Sequence, residues 1–368
     1  MSSIRVLVAD DSALMRQTLK RILSAQPDME LAGIARDGED AVAKARELKP
    51  DVVTMDINMP KLDGITALQI ILDEKICPVV MVSSLTQRGA MTTFECLELG
   101  AFDFVAKPDG TVSSDMGQVA ADLVSKLRAA ATIGVQRRLH RNRARRLASR
   151  EPVERPVARW QTTGPVAVAI GISTGGPATL TEVLPFLPQD LPASVFLVQH
   201  MPASFITAFT RRLNEHSPLH VVEARAGMTV EPGTCYVAQG GLHLCPHRKG
   251  TGEIVIRTPV QPHTLFVPSV SVMMEGVLAT YGPSTVGVLM TGIGDDGADQ
   301  MVAIRRAGGV TIAESEETAI VFGMPREAIE RGGADIVAPH YEIAKHIVQA
   351  VGKVGGRKWS TSMSVSKN

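Results

Sequence analysis

Short apolar runs alternate with stretches of helical period along most of the chain. In the first 128 residues the runs predict strands over Ile4 to Ala9, Leu31 to Ala35, Asp51 to Met55, Val79 to Val82 and Asp103 to Ala106. Between them, helix-period apolar positions (Leu14, Met15, Leu19, Ile22 and Leu23 in the first) predict helices over Ser12 to Ala25, Gly38 to Leu48, Gly64 to Glu74 and Arg88 to Leu99, with a last one ending at Leu127. Five βα repeats in regular alternation imply an α/β domain built on a doubly wound parallel sheet. The pattern resumes from residue 164 to 352. Strands are predicted at Val166 to Ile170, Ala193 to Gln199, His220 to Glu223, Thr234 to Ala238, Glu253 to Arg257, Thr285 to Met290, Val310 to Ala313 and Ile336 to Ala338. Helices are predicted at Ala178 to Phe186, Phe205 to Glu215, Ser269 to Thr280, Ala298 to Ala307, Pro325 to Arg331 and Tyr341 to Val351. Thr234 to Arg257 carries no helical pattern and reads as an antiparallel hairpin. The second domain is therefore expected to be a doubly wound, mostly parallel α/β sheet with one antiparallel hairpin.

Between the domains, over residues 129–163, periodicity gives way to charge. Nine arginines (Arg137, Arg138, Arg141, Arg143, Arg145, Arg146, Arg150, Arg155 and Arg159) face only Glu151 and Glu154, and Pro152 and Pro156 break any helix. This is an interdomain linker. Arginine runs also bind nucleic acid or acidic partners, but stacking aromatics are absent apart from Trp160. Residues 353–368, rich in serine and glycine, are expected to be a disordered tail. Elsewhere the charge is balanced: 38 basic against 38 acidic residues leave a formal net charge of zero, so the whole molecule has no bias toward nucleic acid or membrane. The four cysteines lie far apart and read as reduced thiols. No apolar stretch reaches the ~18 residues of a membrane span and the N-terminus lacks a signal-peptide core, so the expectation is a cytoplasmic protein with no membrane insertion.

Ligands of doubly wound sheets sit beyond the carboxyl ends of the strands. In the first domain those ends carry Asp10 and Asp11, Asp56, Ser83 and Lys107. Three carboxylates at one edge call for a cation, and hard oxygen donors suit Mg²⁺. A carboxylate beside Mg²⁺ and a lysine can accept a phosphoryl group. Val8-Ala-Asp10-Asp11-Ser12, Asp56-Ile-Asn-Met-Pro60, Val82-Ser83-Ser84 and Ala106-Lys107-Pro108 together resemble the receiver domain of two-component response regulators. That resemblance covers residues 1–128 and implies a flavodoxin-like fold. It further implies Asp56 as phosphoacceptor, with Asp10, Asp11, Asp56 and the Asn58 carbonyl as Mg²⁺ ligands. Ser83, Phe104 and Lys107 become the switch residues, and Lys107 precedes a cis proline.

The second domain opens with an apolar strand followed by Gly171-Ile-Ser173-Thr-Gly-Gly-Pro177. A serine at a glycine-lined strand-to-helix turn suits a nucleophile whose reaction makes an oxyanion, or a bound phosphate. A plain glycine-rich turn reads the same way. Serine needs a base and the base an acid. His200 ends the strand Ala193 to Gln199, and Asp295 and Asp296 come after the strand Thr285 to Met290; sequence does not separate the two aspartates. His243, Cys245 and His247 alternate on one expected strand face and suggest zinc, but structural zinc sites space their ligands more widely and need a fourth.

Gly171 to Pro177, Gln199-His200-Met-Pro202 and Thr291-Gly-Ile-Gly-Asp-Asp296-Gly-Ala298 resemble the catalytic domain of the chemotaxis protein-glutamate methylesterases. The resemblance implies Ser173 as nucleophile, His200 as base and Asp296 as orienting acid. Thr174 lies beside the nucleophile and Ile293 supplies a backbone N–H to the oxyanion hole; many relatives have methionine there, a change that leaves a backbone donor intact. It also implies a phosphorylation-controlled hydrolase of glutamate methyl esters on methyl-accepting chemoreceptors, with glutamine deamidation as a second reaction and a chemotaxis histidine kinase as phosphodonor. Mg²⁺ would serve only the receiver, and the esterase would need no cofactor. The competing reading is a non-enzymatic response regulator whose basic linker binds nucleic acid, which requires a compact helix-turn-helix output domain. A nucleotide-binding turn is the other, but it calls for a G-x-G-x-x-G pattern in place of G-x-S-x-G-G.

Overall fold

The computed structural model describes residues 3–84, 87–107, 117, 119–132 and 164–356. Pro108, the arginine-rich stretch 133–163 and the tail from 357 lie outside the described residues. The described residues form two compact units.

The first unit runs β1 (Ile4–Ala9), α1 (Ala13–Ser24), β2 (Met29–Ala35), α2 (Gly38–Leu48), β3 (Val52–Asp56), α3 (Gly64–Asp73), β4 (Val79–Ser83), α4 (Gln87–Leu99), β5 (Asp103–Ala106) and α5 (119–132). Its five strands are parallel in the order β2-β1-β3-β4-β5. β3 and β4 are buried at every position, which is why they read as unbroken apolar runs. Ser12 lies outside α1 as its cap, accepting from the Met15 N–H at 3.3 Å, and Met15, Leu19 and Leu23 bury one stripe of that helix. The last helix continues to residue 132, past the expected end at Leu127. Strand order reverses between β1 and β3, so the crevice bounded by Asp10, Asp11 and Asp56 is the switch point of the sheet.

The second unit contains β6 (Val166–Ile172), α6 (Gly176–Val183), β7 (Ala193–Gln199), α7 (Ala203–His216), β8 (His220–Glu223), β9 (Thr234–Val237), β10 (Cys245–Arg248), β11 (Ile254–Arg257), α8 (Val270–Tyr281), β12 (Thr285–Leu289), α9 (Ala298–Arg306), β13 (Val310–Glu314), α10 (Met324–Glu330), β14 (Ile336–Ala338) and α11 (His340–Val354). Seven strands form one sheet, β14-β13-β12-β6-β7-β9-β8, in which each pairing is parallel. α6, α7 and α11 pack together on one side, and α8, α9 and α10 on the other.

The second unit departs from the expected pattern at β9 and at its last helix. Thr234–Val237 does not belong to an antiparallel hairpin; it pairs in parallel with both β7 and β8, and among the described strands the antiparallel pair is β10 with β11. Every residue of β9 is buried, with the Tyr236 ring stacked 5.8 Å from Phe196, and its place inside the sheet gives its backbone a parallel partner on both edges. Moreover α11 extends to Val354, beyond the expected end of the domain at residue 352.

Burial sets the chemistry of the thiols. Loss of solvation pushes Cys77, Cys96 and Cys235 up to about 12 and Cys245 up to about 11. At pH 8 about one in a thousand or fewer is ionised. A thiol-titrating aromatic disulfide is therefore expected to react with the folded chain at least about a hundredfold more slowly than with the urea-unfolded chain, which should release all four thiols. Rapid reaction of the folded chain would contradict this burial.

Candidate functional site

In the first unit, Asp10 and Asp56 are buried and Asp11 is exposed, and one carboxylate oxygen from each lies within 4.8 Å of the others. The Lys107 ammonium closes the site, 2.7 Å from Asp56 Oδ2 and 3.0 Å from Asp10 Oδ2. Burial pushes the Asp56 carboxyl above its ordinary range, and Lys107 only partly offsets this. Burial also works against the Lys107 ammonium, but its pairing with Asp56 and Asp10 prevails and raises it. A buried carboxylate cluster with one lysine remains short of positive charge, and its all-oxygen donor set fits Mg²⁺. Asn58 is exposed at the rim, its N–H 3.4 Å from Asp56 Oδ1. Ser83 is buried; its hydroxyl accepts from Thr93 Oγ1 at 2.7 Å and reaches the Gly89 carbonyl at 3.4 Å. Phe104 is buried, edge-on to Phe94 at 6.2 Å, with the Lys126 ammonium 5.4 Å above its ring.

In the second unit, strand order reverses between β6 and β12, and the two segments leaving those strands meet. The Ser173 N–H donates to the Thr291 carbonyl at 2.9 Å, and Thr291 Oγ1 donates to the Thr174 carbonyl at 2.8 Å. The turn itself is tight. Gly175 has φ +77°, and a Cβ on Gly176 would lie 2.0 Å from Gln199 Oε1. Gln199 uses that proximity: its Nε2 donates to the carbonyls of Ser173 and His200 at 2.9 and 3.0 Å, tying the two site segments together. A Cβ on Gly292 would lie 2.8 Å from that of Ser173, so the backbone leading to Ile293 runs directly against the serine. Two amides of the turn, Ser173 and Gly176, are committed to backbone carbonyls, which leaves few donors for the phosphate cradle of a nucleotide.

Register places the histidine. Ile172 pairs with Gln199, and one step further the His200 N–H donates to the Ile172 carbonyl at 3.2 Å, so Ser173 and His200 leave adjacent strands side by side. The imidazole Nε2 lies 3.0 Å from Asp296 Oδ2, while Nδ1 is buried without a hydrogen-bond partner.

The two aspartates are now distinct. Asp295 is exposed and pairs with Arg331 at 2.6 Å. Asp296 sits at the N-terminus of α8, where Oδ1 accepts from the Ser271 N–H (2.9 Å) and the Ser269 hydroxyl (2.9 Å), and Oδ2 from the Val270 N–H (2.7 Å). Burial pushes this carboxyl up, but His200 and the Ser271 donors outweigh it and hold Asp296 well below the usual carboxylate range. An ionised carboxylate can only accept, so His200 carries its proton on Nε2 and Nδ1 presents the lone pair.

Sequence reading missed several neighbours. The Phe266 ring stacks on His200, with centroids 4.2 Å apart and planes at 14°. Ser269 holds Asp296 through its hydroxyl. Glu314, buried at the end of β13, accepts from the Thr291 N–H at 2.8 Å and the Thr318 hydroxyl at 2.9 Å. Phe266 and Ser269 lie in or beside an aperiodic segment, and the capping signature of Ser269 was the one usable signal. His243 precedes β10 and is not on the strand face of Cys245 and His247. Among the described residues, the one group of three or more ligand-type side chains close enough to share a metal is Asp10, Asp11 and Asp56. No described helix is long and apolar enough to cross a membrane.

Comparison with known proteins places both parts of the chain in known families. Residues 6–112 match the response regulator receiver domain family and residues 168–347 the CheB methylesterase family. A protein-glutamate methylesterase/protein-glutamine glutaminase of Syntrophomonas wolfei is 59% identical over 95% of this chain and 100% of its own length. One from Caldanaerobacter subterraneus is 51% identical over 95% of this chain and 96% of its own. A solved structure of the Thermotoga maritima CheB methylesterase catalytic domain is 36% identical, covers 51% of this chain and 99% of that one, and superposes with a TM-score of 0.49. The helix-turn-helix reading fails, because the second unit is a seven-stranded parallel sheet. With a receiver in front and full-length likeness at this level, the chain belongs to the protein-glutamate methylesterase/protein-glutamine glutaminase family of response regulators.

Proposed function

We propose that Ser173, His200 and Asp296 carry out the ester hydrolysis and deamidation of this family on methyl-accepting chemoreceptors, in the cytoplasm, and that Asp56 controls them. The observation that carries the reading is the His200–Asp296 pair set on the helix N-terminus beside the Ser173 turn. Ser173 Oγ attacks the side-chain carbonyl of a methylated glutamate as His200 Nδ1 takes its proton. Asp296 stays ionised, holds the Nε2–H and stabilises the imidazolium that forms. The nitrogens exchange their usual roles: in the common arrangement the acid holds Nδ1 and Nε2 is the base. Backbone N–H groups at Thr174 and Ile293, on the two segments that flank the serine, receive the oxyanion. Collapse expels methanol with the proton from His200 and leaves an acyl-serine. Water, deprotonated by the same Nδ1, then releases the glutamate. With glutamine as substrate, ammonia leaves in place of methanol.

In the receiver, Asp10, Asp11, Asp56 and the Asn58 carbonyl would hold Mg²⁺, which when bound neutralises charge on a transferring phosphoryl group. The Asp56 carboxylate accepts that group from a chemotaxis histidine kinase, and Lys107, already paired with Asp56, follows its charge. Ser83 and Phe104 respond as switch residues. The primary test is methanol release from methylated receptor membranes, with and without a small phosphodonor. Release that rises with phosphodonor is the expected result; no release under either condition overturns the reading.

A further inference from the structure

His243 plays no part in the triad chemistry, yet it is almost fully buried and both ring nitrogens are engaged. The Ser269 N–H donates to Nδ1 at 3.2 Å. An amide can only donate, so Nδ1 holds a lone pair and the ring proton sits on Nε2, which donates to the Pro262 carbonyl at 2.9 Å. The His243 backbone N–H donates to the Pro259 carbonyl at 2.8 Å. One residue thereby grips the segment 259–269 at its start, its middle and its end. The segment has neither helix nor strand and is exposed from Val260 to Leu265, so it has no ladder of its own to hold its shape.

Two side chains of this segment reach the triad. Phe266 stacks on the His200 imidazole, and Ser269 donates its hydroxyl to Asp296 Oδ1 while its Oγ accepts from the Val272 N–H to cap α8. The α8 cap in turn aims the Val270 and Ser271 N–H groups at the same carboxylate. We infer that His243 is a positioning residue of the active site: by fixing the 259–269 segment it sets both the ring that backs the base and the donors that orient the acid. The inference rests on the Ser173–His200–Asp296 reading. Loss of the imidazole strands the buried Ser269 N–H, and the segment relaxes away from His200 and Asp296 together.

The test uses the full chain with two readouts, methanol release and covalent labelling of the active serine by a small fluorophosphonate, which needs no receptor binding. His243→Leu is expected to lower kcat and the labelling rate by the same factor, about 10- to 100-fold, the rate equivalent of stranding one buried donor, with KM changed less than about twofold. His243→Asn keeps an acceptor near the Nδ1 position and is expected to recover most of the labelling rate. In a Phe266→Ala background, His243→Leu should cost less than about threefold more, because both changes act through the same segment. Should His243→Leu not fold, as judged by its thermal melt, His243→Gln, which stays polar but carries its amide one carbon beyond the Nδ1 position, takes its place in both comparisons. A folded His243→Leu with unchanged labelling, a rise in KM alone, or fully multiplicative losses with Phe266→Ala would each overturn the inference. Ser173→Ala is the control: if it still labels and releases methanol, the site reading itself is wrong and the role of His243 falls with it.

Discussion

Ser173→Ala should lower methanol release by about 10⁴-fold or more and leave the melting curve nearly in place. The turn is held by main-chain groups: the Ser173 N–H on Thr291, and its carbonyl on Gly176 and Gln199. Removing one hydroxyl leaves those bonds intact. Asp296→Asn should cost about 10³- to 10⁴-fold, because an amide no longer offers two acceptor oxygens and the imidazole proton is no longer held on Nε2. Asp295→Asn should stay within about threefold, since it removes one of the carboxylates around Arg331 and touches neither His200 nor Ser173. Initial rates on methylated receptor membranes measure all three. If Asp295→Asn proves the more damaging, the wrong carboxylate has been assigned.

A small phosphodonor with Mg²⁺ is expected to raise the activity of the full chain by about 5- to 150-fold, the usual span of coupling between two sites, and Asp56→Asn to abolish that rise. In the receiver, the Ser83 and Phe104 side chains are both engaged. The Ser83 hydroxyl is taken up by Thr93 and the Gly89 carbonyl, and Phe104 is packed against Phe94 beneath the Lys126 ammonium. A phosphoryl group on Asp56 brings charge and oxygens that compete for Ser83 and Lys107, so it can favour a second arrangement. If the unphosphorylated receiver restrains the esterase, a chain starting near Gly164 will be more active than the unphosphorylated full chain. Equal or lower activity in the shortened chain would mean that the receiver promotes substrate binding.

Much of this protein is legible in its residues because a doubly wound sheet is written locally. Each strand is an apolar run and each helix a periodic stripe, and the first residues past a strand stand at the ligand-binding edge whatever their neighbours do. Asp10, Asp11, Asp56, Ser83, Lys107, Ser173 and His200 could therefore be placed at strand ends from the sequence. Partnership between distant segments was another matter. Thr234–Val237 looks like any short apolar strand, and only the pairing offered by β7 and β8 takes it into the parallel sheet. Asp295 and Asp296 are neighbours with equal claims until α8 brings three N-terminal residues to one of them and Arg331 takes the other. Phe266 belongs to a stretch without periodicity and His243 to an alternation that suggested a different chemistry, and their meaning comes from contacts across tens of residues of chain. Strand ends are set by backbone geometry, which is local. The direction of a hydrogen bond or the stacking of two rings depends on where the whole sheet delivers each segment, and that is decided only by packing.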